Sequence, residues 1–191
     1  MKLTTLLLIV ICLFNPLILA QHGVFWLGGQ GMTDILIQSG NTETADVVGL
    51  GWQYGLDAEL DIAAELDLED DLIPIARWYI SVEAYGLNGQ FAGNNSQLDI
   101  VALKPILRFD SENHIFYEAS IGIAHFSDKQ FEEITTGSHT QFALHFAVGY
   151  YLNDKRSWHS SIRYNHYSNG YLSQPNPGID FLSLQISYDF N

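Results

Sequence analysis

The stretch Trp158-His-Ser-Ser-Ile-Arg-Tyr-Asn-His-Tyr-Ser168, near the C-terminus, alternates between two kinds of residue with a period of two. This period is typical of a β-strand between two different environments, because successive side chains of a strand point to opposite faces. The stretch therefore predicts a strand with one apolar and one polar face. The apolar face would carry Trp158, Ser160, Ile162, Tyr164, His166 and Ser168, and the other face His159, Ser161, Arg163, Asn165 and Tyr167.

The last segment of the chain repeats this alternation and predicts the next strand. It begins at Asp180, which shares its face with a series of large apolar residues, and small polar residues alternate with them. As a result, His166, Ser168 and Asp180 are all predicted to lie on the apolar face of two consecutive strands, where uncompensated polar groups are costly. The apolar series is Leu182, Leu184, Ile186, Tyr188 and Phe190, and the opposite series is Phe181, Ser183, Gln185, Ser187 and Asp189.

Six earlier segments alternate in the same way, which gives eight predicted strands in all. The fourth of them is the least regular, and Pro105 argues against a central strand there, because proline cannot donate a ladder hydrogen bond. Turn-rich segments separate the strands. The six segments cover 23–31, a stretch that starts near 45, 76–87, 97–109, 115–124 and 141–150.

Eight alternating strands fit either a soluble sandwich or barrel, or a barrel that crosses a membrane. In a soluble fold the face opposite the core would be solvated and rich in charge. Here it carries small or neutral side chains such as Ser183, Gln185 and Ser187, which suit a narrow barrel lumen. Tryptophan and tyrosine near strand ends also favour a membrane interface. We therefore predict an all-β fold, an eight-stranded antiparallel transmembrane β-barrel.

The N-terminal residues 1–20 have the features of a secretory signal peptide. Lys2 precedes an apolar run over 6–14, and Ala20 is a suitable last residue before cleavage. The run is too short for a helical membrane anchor. The mature chain would then be a single barrel domain of residues 21–191. It would contain no cysteine, because Cys12 is the only one, which excludes disulfides and thiolate chemistry.

The composition also limits the partners of the protein. A net charge of −14 argues against nucleic acid, because binding to phosphates needs clustered lysine and arginine. The acidic segment 56–71 fits either an extension of the second strand or a short amphipathic helix. Its charges are expected to be solvated, and calcium binding is the alternative, although the segment lacks the residue order of an EF-hand loop. No metal site is predicted, since the remaining histidines show no ligand spacing. They are His22, His114, His125, His139, His145 and His159.

The polar trio on the apolar face suggests nucleophilic catalysis. Residues i and i+2 of a strand lie about 6.5–7 Å apart at Cα, so the side chains of His166 and Ser168 can meet. Asp180 on the next strand could orient the histidine as in a serine hydrolase triad. With both termini in the periplasm, the trio would lie at the outer end of the barrel. The alternative is that these are interfacial polar residues without a chemical role.

The sequence around the trio resembles the signature of the lipid A 3-O-deacylase (PagL) family. The matching residues are His166-Tyr-Ser168-Asn169, Gln174-Pro-Asn176 and Gly178-Ile-Asp180. The resemblance implies an eight-stranded outer-membrane esterase with Ser168 as nucleophile and His166 as base. It also implies that Asn169 and Asn176 belong to the oxyanion site. The family has glutamate at the acid position, where this chain has the shorter Asp180.

The activity implied by the resemblance is hydrolysis of the ester-linked 3-hydroxyacyl chain at position 3 of lipid A, in the outer leaflet of the outer membrane. Lipopolysaccharide would enter sideways from the membrane, and no metal or organic cofactor is implied. The competing hypothesis is a non-enzymatic small outer-membrane barrel with a structural or adhesion role. A soluble periplasmic β-protein is a third. The oligomeric state is left open, with a homodimer as one option.

Overall fold

The computed structural model describes residues 23–32, 46–60, 75–91, 93–111 and 113–190. The predicted signal peptide lies outside these residues. Of the acidic segment, residues 56–60 continue the second strand, as one of the two predictions had it, and residues 61–71 lie outside the described part. Within the described ranges, no helix is both long and apolar enough to cross a membrane.

Eight long strands of the described chain close into an antiparallel barrel, which confirms the predicted fold class. The order around the barrel is β1-β10-β9-β8-β5-β4-β3-β2, and β6 and β7 form a separate small hairpin. The strands are β1 (Gly23–Met32), β2 (Asp46–Leu60), β3 (Ile75–Phe91), β4 (Asn94–Asp110), β5 (Ile115–Phe126), β6 (Gln130–Phe131), β7 (Ile134–Thr135), β8 (Thr140–Tyr151), β9 (Trp158–Ser168) and β10 (Ile179–Asp189).

The β3–β4 hairpin is longer than the alternation predicted. The two strands pair continuously from Ile75 opposite Asp110 to Phe91 opposite Asn94. Residues 88–97 consist mostly of Asn, Gln, Gly and Ser. One face of this extension is covered by the segment around Glu132, whose backbone N–H donates to Ser96 Oγ at 2.7 Å, and these small polar residues form no apolar face there. The alternation therefore did not predict the extension, although its backbone hydrogen bonds continue the ladder.

The fourth predicted strand is confirmed, although Pro105 weakened its assignment as a central strand. β4 runs through this residue, which lies opposite Ile80 of β3. The pairing with β5 is interrupted between Leu103 and Ile106, so the missing N–H falls in an irregular part of the ladder. On that side the Pro105 carbonyl is satisfied by Ser120 Oγ, which donates a hydrogen bond to it at 2.7 Å.

The two faces of the barrel wall have the predicted orientation. Large apolar side chains point outward and stay exposed, as expected of a surface that contacts lipid. Polar and charged side chains point into the lumen and are buried, which is the reverse of a soluble barrel. Outward residues include Leu103, Ile121, Phe146, Val148, Ile162 and Leu184, and lumen residues include Gln53, Glu83, Glu118, Asn165, Ser183 and Gln185.

An ion-pair network fills the middle of the lumen. Arg163 bridges the two buried carboxylates, with 2.9 Å to Glu83 and 2.7 Å to Glu118. Lys104 contacts Glu83 at 2.5 Å, and Arg108 contacts Glu118 at 2.6 Å. Buried charges are tolerated when they are paired in this way. These side chains occupy the interior, so the barrel wall surrounds a packed core.

His145 lies on the lumen face of β8. The side chain is buried there, and Glu118 Oε2 lies 3.6 Å from its Nε2. This separation is longer than a hydrogen bond. Among the residues that the structure describes, neither ring nitrogen of His145 has a hydrogen-bond partner.

A compact apolar cluster closes the lumen beyond the ion pairs, at the end of the barrel that carries the connection between β9 and β10. Tyr85 joins the two layers, because its ring is in the cluster and its hydroxyl donates to Glu83 at 2.8 Å. The cluster anchors the ends of β9 and β10, on which the polar trio lies. Its larger members are Tyr85, Leu87, Leu98, Ile100, Phe126, Phe131, Tyr167, Ile179 and Phe181.

Candidate active site

The trio lies where the end of β9 meets the start of β10. Its members alternate along the strands with Tyr167, Ile179 and Phe181, each of which is buried in the apolar cluster. Because alternate residues of a strand point to opposite faces, this burial forces His166 and its two partners outward. The position of the site is thus fixed by packing on the other side of the same two strands.

The structure brings the three predicted side chains into one hydrogen-bonded chain. His166 Nδ1 lies 2.6 Å from Asp180 Oδ1, and His166 Nε2 lies 3.1 Å from Ser168 Oγ. With its Nδ1 proton donated to the carboxylate, the imidazole presents the Nε2 lone pair to the serine hydroxyl. The Asp180 side chain is 7% exposed and that of His166 is 32% exposed. Such an arrangement can activate a serine for attack on an ester.

Tyr164 is a fourth member of this group that the sequence reasoning did not identify. Its hydroxyl donates a hydrogen bond to Asp180 Oδ1 at 2.5 Å. Tyr164 lies two residues before His166 on the same face of β9. This position was the indication in the sequence that it could contact the trio. A tyrosine near a membrane interface is usually explained as an amphipathic anchor. The sequence alone therefore did not indicate that Tyr164 belongs to the site.

Asn169 is tied into the loop that joins β9 and β10. Its backbone N–H donates to Asn176 Oδ1 at 2.8 Å, and its side-chain Nδ2 contacts Ser173 Oγ at 3.1 Å and the Pro175 carbonyl at 3.4 Å. These bonds use the backbone N–H and the side-chain NH2 of the buried Asn169 within the loop. Among the described residues, no group accepts a hydrogen bond from Asn176 Nδ2. Of the two predicted oxyanion residues, Asn176 therefore keeps a donor available.

A cavity of about 270 Å³ is lined in part by Asn169, the residue that follows Ser168. Phe142 lines it and stands directly opposite Ser168 in the pairing of β8 with β9. Ile123 and Leu172 add apolar surface and are both well exposed on the outside of the barrel. The remaining lining is polar and comes mainly from the loops. The cavity thus has an apolar wall that includes the residue paired with Ser168.

The described residues contain no group of three or more His, Cys, Asp or Glu side chains placed to hold a metal ion. His125 and His139 stack with ring centroids 5.7 Å apart near the outer end of the barrel. His139 Nδ1 is already engaged, 2.9 Å from the Phe126 carbonyl. The chemistry of the trio itself requires acid–base and nucleophilic groups alone.

Fold and site together define a class of protein: an outer-membrane type of β-barrel with a serine–histidine–carboxylate chain on its outer surface. A family described as lipid A 3-O-deacylase (PagL) matches residues 71–189, which is more than half of the chain and includes the whole trio. The chain belongs to this family, and the resemblance stated from its sequence is confirmed.

Individual relatives agree with this assignment. The lipid A deacylase PagL of Bordetella bronchiseptica (strain ATCC BAA-588 / NCTC 13252 / RB50) is 34% identical over 86 residues, which are 45% of this chain and 47% of that protein. The chain thus spans about half the length of the curated relative in the alignment.

Solved structures show the same fold. The crystal structure of the outer membrane enzyme PagL matches 87% of this chain and 98% of its own, with a TM-score of 0.67 and 20% identity. The outer membrane protein Ail of Yersinia pestis, in a phospholipid bilayer nanodisc, matches 88% and 98% with a TM-score of 0.52 and 9% identity. At these identities the two likenesses concern the barrel and not its chemistry.

Proposed function

We propose that this protein is a lipid A 3-O-deacylase, a serine esterase that hydrolyses the ester-linked 3-hydroxyacyl chain at position 3 of lipid A. The observation that carries the proposal is the hydrogen-bonded chain from Asp180 through His166 to Ser168 on the lipid-facing wall. Family membership and the relative from Bordetella bronchiseptica support the substrate class. They favour this function over that of a structural or adhesion barrel.

In the first half of the reaction, Ser168 Oγ attacks the ester carbonyl while His166 Nε2 takes its proton. The carboxylate of Asp180 stabilises the imidazolium that forms and holds its tautomer. Asn176 Nδ2 and loop amides would donate hydrogen bonds to the oxyanion. When the tetrahedral intermediate collapses, the bond to the sugar oxygen breaks, and that oxygen receives the proton from His166. The products are an acyl-serine and a deacylated 3-hydroxyl.

The second half of the reaction restores the enzyme. A water molecule attacks the acyl carbonyl and gives one proton to His166 Nε2. Collapse of the second tetrahedral intermediate breaks the bond to Ser168 Oγ, which recovers its proton from the histidine. A 3-hydroxy fatty acid is released. Every proton is carried by one imidazole, so the cycle needs neither a metal nor an organic cofactor.

The location of the trio suggests how such a substrate would reach it. With both chain termini in the periplasm, the β9–β10 loop is extracellular and the trio lies at the level of the outer leaflet, which contains lipopolysaccharide. The cavity beside Phe142 would receive the acyl chain, and the ion pairs around Arg163 leave the lumen filled. Substrate would therefore enter laterally from the membrane. One chain supplies the whole trio, so the proposed chemistry needs no second copy.

The test uses purified protein in detergent micelles with lipid A as substrate. We expect mass spectrometry to detect release of one 3-hydroxy fatty acid by the wild type and none by Ser168→Ala. Ser160→Ala is the matched control, because Ser160 lies on the outward face of the same strand but at its other end, and it should leave the rate unchanged. A long-chain phosphonate ester should label Ser168 covalently. Fatty acid release that persists in Ser168→Ala would overturn the proposal.

A further inference from the structure

Two donors converge on a single oxygen of the acid in the trio. Asp180 Oδ1 lies 2.6 Å from His166 Nδ1 and 2.5 Å from the Tyr164 hydroxyl. All three residues lie on the outward wall, and the tyrosine and histidine are i and i+2 on β9. The Asp180 carboxylate, on β10, is therefore held by two side chains from one face of the neighbouring strand β9.

The surroundings make this second donor important. The barrel wall around the trio is built from side chains that face lipid, where an anionic carboxylate with few donors is strongly disfavoured. The hydrogen bond from Tyr164 compensates part of the charge of Asp180 and restricts rotation of its carboxylate. An oxygen fixed in this way accepts the Nδ1 proton of His166 in one geometry. That geometry leaves Nε2 free for Ser168.

Other outward tyrosines show that such a contact does not follow from an interfacial position alone. Tyr150 is 52% exposed on the neighbouring strand β8, and its described ring contact is with His114, at 6.0 Å between centroids. Its hydroxyl makes no hydrogen bond with any described side chain. Tyr164, in contrast, has its hydroxyl directed at the one carboxylate that orients the base.

We propose that Tyr164 is a positioning residue of the active site, which acts through Asp180 to hold His166 in the tautomer with the proton on Nδ1. Its kinetic consequences rest on the proposed esterase function, whereas its effect on the imidazole does not. Tyr164→Phe removes the hydroxyl and keeps the ring. For the loss of one hydrogen bond to a charged group we expect kcat to fall roughly tenfold, with KM changed by less than about twofold.

The kinetic experiment compares Tyr164→Phe in two backgrounds, with Tyr150→Phe as the matched control. If the tyrosine acts through Asp180, its removal should lower kcat roughly tenfold in the wild type but by less than about twofold in Asp180→Asn, where the carboxylate is already gone. An equal fall in both backgrounds would show that Tyr164 works independently of Asp180 and would overturn the inference. An unchanged kcat in the wild-type background would overturn it as well.

A spectroscopic measurement decides the same question without activity. Nitrogen-15 chemical shifts of the His166 ring report its tautomer, and assignment is made by comparison with His166→Gln. We expect the neutral ring to carry its proton on Nδ1 in the wild type and in Tyr150→Phe, and to populate both tautomers in Tyr164→Phe. An unchanged tautomer in Tyr164→Phe would overturn the inference, even if kcat fell. If the wild type had no esterase activity, the proposed function would be refuted. The nitrogen-15 shifts would still test whether Tyr164 fixes the tautomer of His166.

Discussion

His166 and Asp180 stand directly opposite each other in the ladder between β9 and β10, and the atoms Nδ1 and Oδ1 are 2.6 Å apart. Asp180 thus reaches His166 by cross-strand pairing, which places side chains of facing residues within a few ångströms. An aspartate is long enough at this position. The departure from the glutamate of the family leaves the hydrogen-bonded chain intact.

We therefore expect Asp180→Glu to lower activity rather than raise it. The longer side chain would have to fold back to keep its contacts with both His166 and Tyr164, and a misplacement of about 1 Å can cost up to roughly a hundredfold in rate. Steady-state kinetics on lipid A in micelles measure the effect, with Asp180→Asn as the more severe reference. A variant with glutamate that is faster than the wild type would show that the reach of the acid is limiting.

Asn176 has two roles that substitutions can separate. Its Oδ1 accepts the backbone N–H of Asn169, whereas its Nδ2 is the proposed oxyanion donor. Asn176→Asp keeps the acceptor and loses the donor, and we expect kcat to fall about 10²–10³-fold, the usual effect of removing an oxyanion donor. Asn176→Ala loses both. If the aspartate variant is as active as the wild type and the alanine variant is not, the residue serves only to hold the loop.

Arg163 should be central to stability, because it bridges Glu83 and Glu118 inside the lumen. Arg163→Met leaves two carboxylates without their shared partner, and we expect the free energy of unfolding to fall by about 3–5 kcal/mol. Lys155→Met is the control: the residue is exposed in the turn between β8 and β9, so a change within about 0.5 kcal/mol is expected. Urea unfolding in detergent micelles measures both variants. Equal stability of the two would contradict the role of the network.

Gly149 leaves room for the ring of Phe116, which a Cβ at this position would overlap. Gly149→Ala should therefore destabilise the barrel by about 1–3 kcal/mol, the typical cost of overpacking. Phe116→Leu removes part of the ring, and we expect the double variant to be more stable than the sum of the two single changes implies. Additive losses in urea unfolding would show that the two side chains do not compete for space.

Much of this fold could be predicted because a membrane barrel constrains the residue types on both faces of each strand. Lipid requires apolar residues at positions such as Ile162 and Leu184, and a narrow lumen requires buried polar partners at Arg163 and Gln185. The period of two follows from these requirements, and it placed the trio on the outward face. Pairing between consecutive strands then brought Asp180 next to His166.

The remaining features depend on contacts that a linear pattern does not encode. The extended part of the β3–β4 hairpin is held by backbone hydrogen bonds in a polar segment without alternation. The involvement of Asn169 in its own loop depends on how residues 169–178 fold back. The hydrogen bond from Tyr164 depends on which rotamer the ring adopts on the wall. In each case the residue type is equally consistent with an ordinary polar loop or a membrane interface, so the sequence does not indicate the contact.

The most direct test of the central claim is mass spectrometry of lipid A from Gram-negative cells that express either the wild type or Ser168→Ala. Both proteins must be shown to be folded in the outer membrane, by their heat-dependent mobility on gels. We expect the wild type alone to remove the mass of one 3-hydroxyacyl chain, with fragmentation placing the loss at position 3. Intact lipid A in cells with folded wild-type protein, or the same loss in both, would contradict the assignment of Ser168 as the nucleophile of a lipid A deacylase.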